Sequence, residues 1–470
     1  MEREGAFARF WRGPGGGREV LDVGLPLMLS QASYTVQVFV DRLFLTWYST
    51  EAMAGAMAGG LTTIALVGLF AAVGEYLTAF VAQYHGAGRR ERIGPAVWQG
   101  IYFAVGSGLL VAALAPFAGA YFALAGHSAP LLASEATFAR ILMRGSTATI
   151  LMATLASFFA GRGKTRVVLL VNVVATAVNC VLDGLLIFGR GGFPRMGVAG
   201  AALATVISQV VGAALLLALF FTRRNRARYA TASGWRFDRE LFARLLRFGL
   251  PAGLQLFLEV IAFSLFLLIV GRIGTDALAA SALAFNLNMI VFMPMLGLSV
   301  AVSSLVGRYL GAGRPDDAAR ATFSAFGMSV VFMATCGAVY VLLPRLLLLP
   351  YAAGADARAF APVGDLTVVL LRFVAFYSIF DMMNVVFAGG LKGAGDTRFP
   401  LLLTAVLSIF ALLLPAYLLC VVGNGGVLAA WSAATAYVAL LGPLMLKRFL
   451  GGRWRTMSLI ERKPAAVPAT

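Results

Sequence analysis

Five carboxylates sit inside long apolar runs of this chain: Asp41, Glu75, Asp183, Glu259 and Asp381. A charge in such a run is expensive to bury, and it is retained where it holds an ion, moves a proton or meets a charged ligand. Asn179 precedes Asp183 by four residues, so on a helix the two share one face. Asp41, Asn179 and Asp183 can offer oxygen ligands to a small hard cation such as Na⁺, or a carboxylate pair able to exchange a proton, and Thr205 can add a hydroxyl. Glu259 and Asp381 form a second candidate set, suited to a proton, a cation or a cationic substrate. Glu75 has no companion at helical spacing. The plainer role for each acid is an ion pair, with Arg42, Arg140, Arg144 and Arg372 as available partners.

Other chemistry is sparse. Cys180, Cys336 and Cys420 lie in apolar runs and are too few for a disulfide scaffold. His85 and His127 are far apart, and no metal-ligand spacing exists beyond the acid sets. The Gly-rich stretches 161–166 and 393–398 lack the Gly-Lys-Ser/Thr of a nucleotide-binding loop. No Ser/His/Asp arrangement or His-Glu-x-x-His motif is visible, so no enzyme, no catalytic residue and no organic cofactor are expected.

The elements that must position these acids follow from composition. Of 470 residues, 60% are apolar and 13% charged, with mean hydropathy +0.85. Soluble domains carry roughly 25% charged residues, so a membrane is the expected solvent. About 20 apolar residues span a bilayer. Twelve such stretches can be read, among them 21–47, 53–83, 137–160, 167–189, 198–222, 249–271, 366–390 and 427–446. The N-terminus has no apolar region ending in a cleavage site, so no signal peptide is expected. With twelve spans both termini share one side. The tails and alternate loops on that side carry 29 of the 38 Lys and Arg residues. The positive-inside rule places that side in the cytoplasm, which explains the net charge of +17 without a nucleic-acid partner.

The chain also repeats itself. Gly24-Leu25-Pro26 recurs as Gly249-Leu250-Pro251, and Tyr84-His85-Gly86-Ala87-Gly88-Arg89 as Tyr309-Leu310-Gly311-Ala312-Gly313-Arg314, both at an offset of 225. Six spans per repeat give both halves one orientation. The expected fold is an all-α integral membrane protein with twelve transmembrane helices in two pseudo-symmetric six-helix lobes around a central cleft. Its parts would be a cytoplasmic tail 1–20, an N-lobe 21–222, a basic linker 223–248, a C-lobe 249–446 and a basic tail 447–470. Helical rise places Asp41 and Asp183 in the outer half of the N-lobe, and Glu259 and Asp381 near the midplane of the C-lobe. Pro26 is either a hinge that kinks span 1 when Asp41 is protonated, or a tolerated first-turn proline. Its twin Pro251 has Phe266 where Asp41 would stand.

In this order, on twelve spans, the motifs resemble the multidrug and toxic compound extrusion (MATE) family of secondary exporters. The resemblance covers roughly residues 20 to 446. It is carried by Gly24-Leu25-Pro26, Val40-Asp41, Gly86-Ala87-Gly88, Asn179-x-x-x-Asp183, Gly200 to Thr205, Glu259, Gly311-Ala312-Gly313 and Leu391 to Arg398. It implies that Asp41, Asn179, Asp183 and Thr205 form an N-lobe cation or proton site, and that Glu259 and Asp381 match C-lobe acids of another subgroup. It implies cationic, amphipathic organic cargo exported in exchange for inward H⁺ or Na⁺, with Asp41, Asn179 and Asp183 as the metal ligands if the ion is sodium. Two departures are Arg42, where the family usually has a small or uncharged residue, and the stretch from Arg190 to Arg195.

A flippase of lipid-linked or other polar cargo on a related bundle is the nearest alternative, and a membrane-embedded enzyme a weaker one. The acids favour cationic cargo. No segment is large enough for an ATPase domain, so no ATPase subunit is implied and a monomer is expected. Arg outnumbers Lys by 34 to 4, which with abundant Ala and Gly suggests a GC-rich bacterium and its inner membrane.

Overall fold

The computed structural model describes residues 11–123, 128–352 and 357–461. The ends of both expected tails, residues 1–10 and 462–470, and His127 lie outside the described residues. Among the described residues the structure is helical, without strands. The N-lobe consists of α1 (Gly17–Tyr48), α2 (Thr50–Gly86), α3 (Ile93–Leu114), α4 (Ala129–Arg144), α5 (Ser146–Ala160), α6 (Thr165–Leu186) and α7 (Val198–Phe220). The C-lobe consists of α8 (Arg239–Gly271), α9 (Thr275–Gly311), α10 (Pro315–Leu342), α11 (Ala357–Ala394), α12 (Arg398–Leu407) and α13 (Gly426–Leu450). Among the described residues eleven helical stretches are long and apolar enough to cross a membrane, and the bent pair α4–α5, taken as one span, makes twelve. Large apolar side chains such as Leu110, Phe117, Leu268, Val331 and Phe410 are exposed, as lipid-facing surfaces require.

Three details differ from the expectation. Span 4, read as one stretch 137–160, is broken into α4 and α5 with a 48° bend. The break falls at the pair Gly145-Ser146, a residue combination that commonly kinks helices. Helix α8 starts at Arg239, ten residues inside the stretch read as linker. The Asp238 carboxylate caps it by accepting from the Glu240 and Leu241 amides at 3.1 Å each. Pro26 is the tenth residue of α1, in the helix interior, so the first-turn alternative is excluded. Beyond α12, the stretches Ser408–Leu413 and Leu418–Val422 are π-helical and flank Pro415.

The cores show how the lobes meet. At the face where α1 begins and α13 ends, which carries most of the arginines and is here the basic face, one continuous core joins the lobes: Val20, Tyr84 and Phe158 pack with Leu305, Phe387 and Trp454. Towards the opposite face the packing separates. One core belongs to the C-lobe alone, around Phe266 and Trp431. Two others belong to the N-lobe alone, around Ala104 and Ile150 and around Leu45 and Ala201. The halves are thus fused at the basic face and splayed at the other.

The repeated glycine motifs sit at this fusion. A Cβ on Gly86 would lie 1.9 Å from the Arg308 carbonyl oxygen, and a Cβ on Gly311 would lie 2.1 Å from the Gln83 carbonyl oxygen. Only glycine lets α2 and α9 cross this closely. Interlobe hydrogen bonds gather at the same end: Tyr76 Oη to the Lys392 carbonyl at 2.9 Å, Gln83 Nε2 to the Gly393 carbonyl at 3.0 Å and Ser304 Oγ to the Ala160 carbonyl at 2.9 Å.

Candidate functional site

Within the N-lobe, α1, α6 and α7 bring four of the expected residues together. Asn179 and Asp183 are fully buried, one turn apart on α6. The carboxyls of Asp41 and Asp183 face each other closely enough to act on one another. Two ionised carboxylates are acceptors only, so this contact requires a shared proton or a cation between them. Asp183 Oδ1 is buried without a hydrogen-bond partner. The Asn179 amide distinguishes the two cases by its orientation. With its nitrogen inward it donates to Asp183 Oδ2 and Asp41 Oδ1 at 3.2 Å each, and its oxygen accepts from the Thr205 amide at 3.3 Å. With its oxygen inward, its nitrogen donates to Thr205 Oγ1 at 3.4 Å, and three oxygen groups converge that only a cation would satisfy. The oxygen-rich donor set fits Na⁺ as well as H⁺. No group of three or more His, Cys, Asp or Glu residues placed to hold a metal ion occurs among the described residues, so a sodium ion here would rest on two carboxylates, the amide and the hydroxyl.

A cleft of about 230 Å³ lies beside this set. Gln37 on α1, Thr176 on α6 and Gln209 on α7 line it, and Tyr34 and Asn172 add further polar wall. Asp41 and Thr205 each lie one helical turn from Gln37 and Gln209, and Asn179 lies three residues beyond Thr176. The acid pair therefore sits about 5 Å beyond the lining, at the end of the cleft away from the basic face. Glu75 on α2 does line the cleft, with Gly297 and Val300 of the C-lobe opposite. Its side chain is accessible, and the space it reaches is this cleft. Glu75 is eleven residues from the end of α2, which is roughly 16 Å along the helix and close to mid-membrane.

The second acid set is also assembled, separately from the first. Glu259 on α8 accepts a hydrogen bond from Gln255 Nε2 at 2.9 Å. Asp381 on α11, with Asn384 beside it, lies within electrostatic reach of Glu259. Tyr437 on α13 senses both acids and pairs with Ser408 Oγ at 3.5 Å. Lys392 lies between the two regions, close enough for its charge to act on both Glu75 and Glu259. Sequence reasoning treated Lys392 only as part of a motif. A signal was present, since a lysine is unusual in a chain that uses arginine so heavily.

The plain ion-pair role is not observed: none of the five acids is bridged to Arg or Lys among the described residues. Arg42 forms no ion pair with Asp41, although its charge acts on it, and donates to Asn286 Oδ1 of the C-lobe at 3.4 Å.

A family model described as MatE matches residues 26–185 and again 251–418. The chain belongs to the multidrug and toxic compound extrusion family. The two matched stretches begin 225 residues apart, the offset of the internal repeat. A probable multidrug resistance protein NorM of Thermotoga maritima is 27% identical over 455 residues, covering 95% of each chain. A protein of the same name from Mesorhizobium japonicum is 31% identical over 449 residues, covering 92% of this chain and 93% of its own. Among solved structures, a multidrug resistance MATE family transporter in an outward-facing conformation superposes with a TM-score of 0.85 at 20% identity, covering 97% of this chain and 98% of the other. That likeness shows the MATE fold, twelve transmembrane helices in two lobes around a cleft.

Proposed function

We propose that this protein is a secondary antiporter that exports cationic, amphipathic organic compounds in exchange for inward H⁺, through alternating access of its two lobes. The observation that carries the reading is the placing of the Asp41–Asn179–Asp183 cluster one turn beyond a cleft that exposes Glu75. One proton between the two carboxyls relieves their repulsion, and with its nitrogen inward the Asn179 amide then pairs with both acids and with the Thr205 amide. Loss of that proton leaves two adjacent charges, which must separate or capture a cation. A structural change at this end of the cleft is then tied to the ion. Glu75 supplies the carboxylate that meets the cargo cation, and Tyr34 offers an aromatic face beside it. The names of the NorM relatives support multidrug cargo. The basic face is the cytoplasmic one of a bacterial inner membrane, with both termini there.

Purified protein in liposomes tests this. A fluorescent organic cation should move under an imposed pH gradient, and Asp41→Asn should slow it at least about tenfold, the loss expected when a coupling interaction of roughly 1.4 kcal/mol or more is removed. Movement under a sodium gradient alone would assign Na⁺ as the coupling ion. If neither gradient moves any of several organic cations, the drug-exporter reading fails and lipid-linked cargo is the next test.

A further inference from the structure

At the cytoplasmic end the two repeats carry equivalent tyrosines, Tyr84 and Tyr309. Each is occupied by an acid from the other lobe. Tyr84 Oη lies 3.1 Å from both Oε1 and Oε2 of Glu461, which follows the last C-lobe helix. Arg92 reaches Glu461 Oε1 at 3.0 Å, and Arg89 reaches both its Oε2 and its main-chain carbonyl at 3.0 Å. The adjoining Leu459 is buried, and its amide donates to Gln83 Oε1 at 2.9 Å. In the mirror position Tyr309 and Arg308 both bind Glu19, at the start of the first N-lobe helix. The turn before that helix is fastened as well: the Gly15 amide donates to Tyr309 Oη at 2.9 Å, and Ser324 Oγ donates to the Gly15 carbonyl at 2.9 Å.

We propose that Glu461 and Glu19 are a pair of latches by which the two ends of the chain hold the lobes together at the cytoplasmic face, and that opening toward the cytoplasm requires both to release. The inference rests on the alternating-access reading above. Three features argue for it. Each latch crosses between lobes, whereas a contact serving only local folding would not need to. The acids come from unrelated segments, yet they converge on repeat-equivalent tyrosines. Both latches flank the Gly86 and Gly311 crossing, where the lobes would part first. The Glu461 latch is not a proton sensor at cytoplasmic pH. Burial alone would push its carboxyl up, but hydrogen bonds from Arg92 and Tyr84 and the Arg92 charge outweigh that, and it ionises below its ordinary value. Arg89, 3.0 Å from Glu461 Oε2, adds a second positive charge, and Asp238 lies 3.4 Å from Arg92. Release therefore comes from movement of the lobes or of the tail, not from titration.

The test uses the full chain in lipid nanodiscs, with Cys180, Cys336 and Cys420 replaced by Ala and spin labels placed at Arg90→Cys and Ala312→Cys, both exposed and outside the latches. Pulsed EPR reads the distance between the lobes. Glu461→Gln, Glu19→Gln and Tyr84→Phe keep side-chain shape. Each single variant should raise the longer-distance population, and the double acid variant should raise it by about tenfold, as expected for losing charge-assisted hydrogen bonds. Unchanged distances in the double variant overturn the proposal, even if its melting temperature falls. The readout does not depend on cargo, so the latches stand or fall separately from the substrate class.

Discussion

Asp183 is the more deeply buried acid of the N-lobe pair. It is fully buried, it faces Asp41, and its Oδ1 has no hydrogen-bond partner. Asp183→Asn keeps the shape but leaves Asp41 as the one carboxyl of the cluster, with no second carboxylate to share its proton or to help hold a cation. Coupled export should fall at least about tenfold while binding of cargo without a gradient is retained. Retained pH-driven export in that variant would show that the coupling proton sits elsewhere, with Glu259 and Asp381 as the next set. Glu75 makes a different prediction because it faces the cleft and not the acid pair. Glu75→Gln should raise the KM for an organic cation by roughly tenfold, in line with loss of one partly desolvated cation–carboxylate contact, and leave a neutral cargo nearly unaffected. Equal effects on both cargoes would make Glu75 a structural residue of the cleft wall.

At the scale of elements, α1 joins the proline to the acid. Pro26 has no amide hydrogen, so the Asp22 carbonyl four residues back lacks its helical donor, and the helix is weakened there. Pro26→Ala restores that bond. The helix should become stiffer, with a stability equal or higher by up to about 3 kcal/mol, and export should slow about tenfold if bending of α1 is part of the cycle. Pro251→Ala in α8 should have a smaller effect, because the position equivalent to Asp41 is the buried Phe266. Full coupled transport in Pro26→Ala removes the hinge from the mechanism. Such elements were legible in the sequence because length and apolarity alone make a span, and because the repeat keeps its register across 225 residues. The N-lobe cluster was legible because Asn179 and Asp183 are local to one helix face. Contacts that depend on the approach of distant segments were not. Tyr84 and Glu461 are 377 residues apart, and nothing in the local pattern of either announces the other. Glu75 looked isolated for the same reason: the cleft and the charge of Lys392 come from other helices.

For the whole molecule, the arrangement of cores sets which way the lobes can move. One core spans both lobes at the basic face, while separate cores serve each lobe toward the other. Rocking into the opposite state must break the shared core and preserve the separate ones, so the cost falls on the α2–α9 crossing. Gly86→Ala addresses that crossing directly, since its Cβ would meet the Arg308 carbonyl at 1.9 Å and main chain cannot yield as a flexible side chain can. The variant should hold the basic face partly open, lengthen the interlobe distance there and reduce export, while each lobe stays folded on its own core. Gly106→Ala is the control. It lies in α3 with open space around it, so it should leave the distance unchanged and stabilise the helix by about 1 kcal/mol. If Gly86→Ala shows the same distances as the parent protein, the lobes close at this face without the tight crossing, and the repeated glycines serve folding of the individual helices instead.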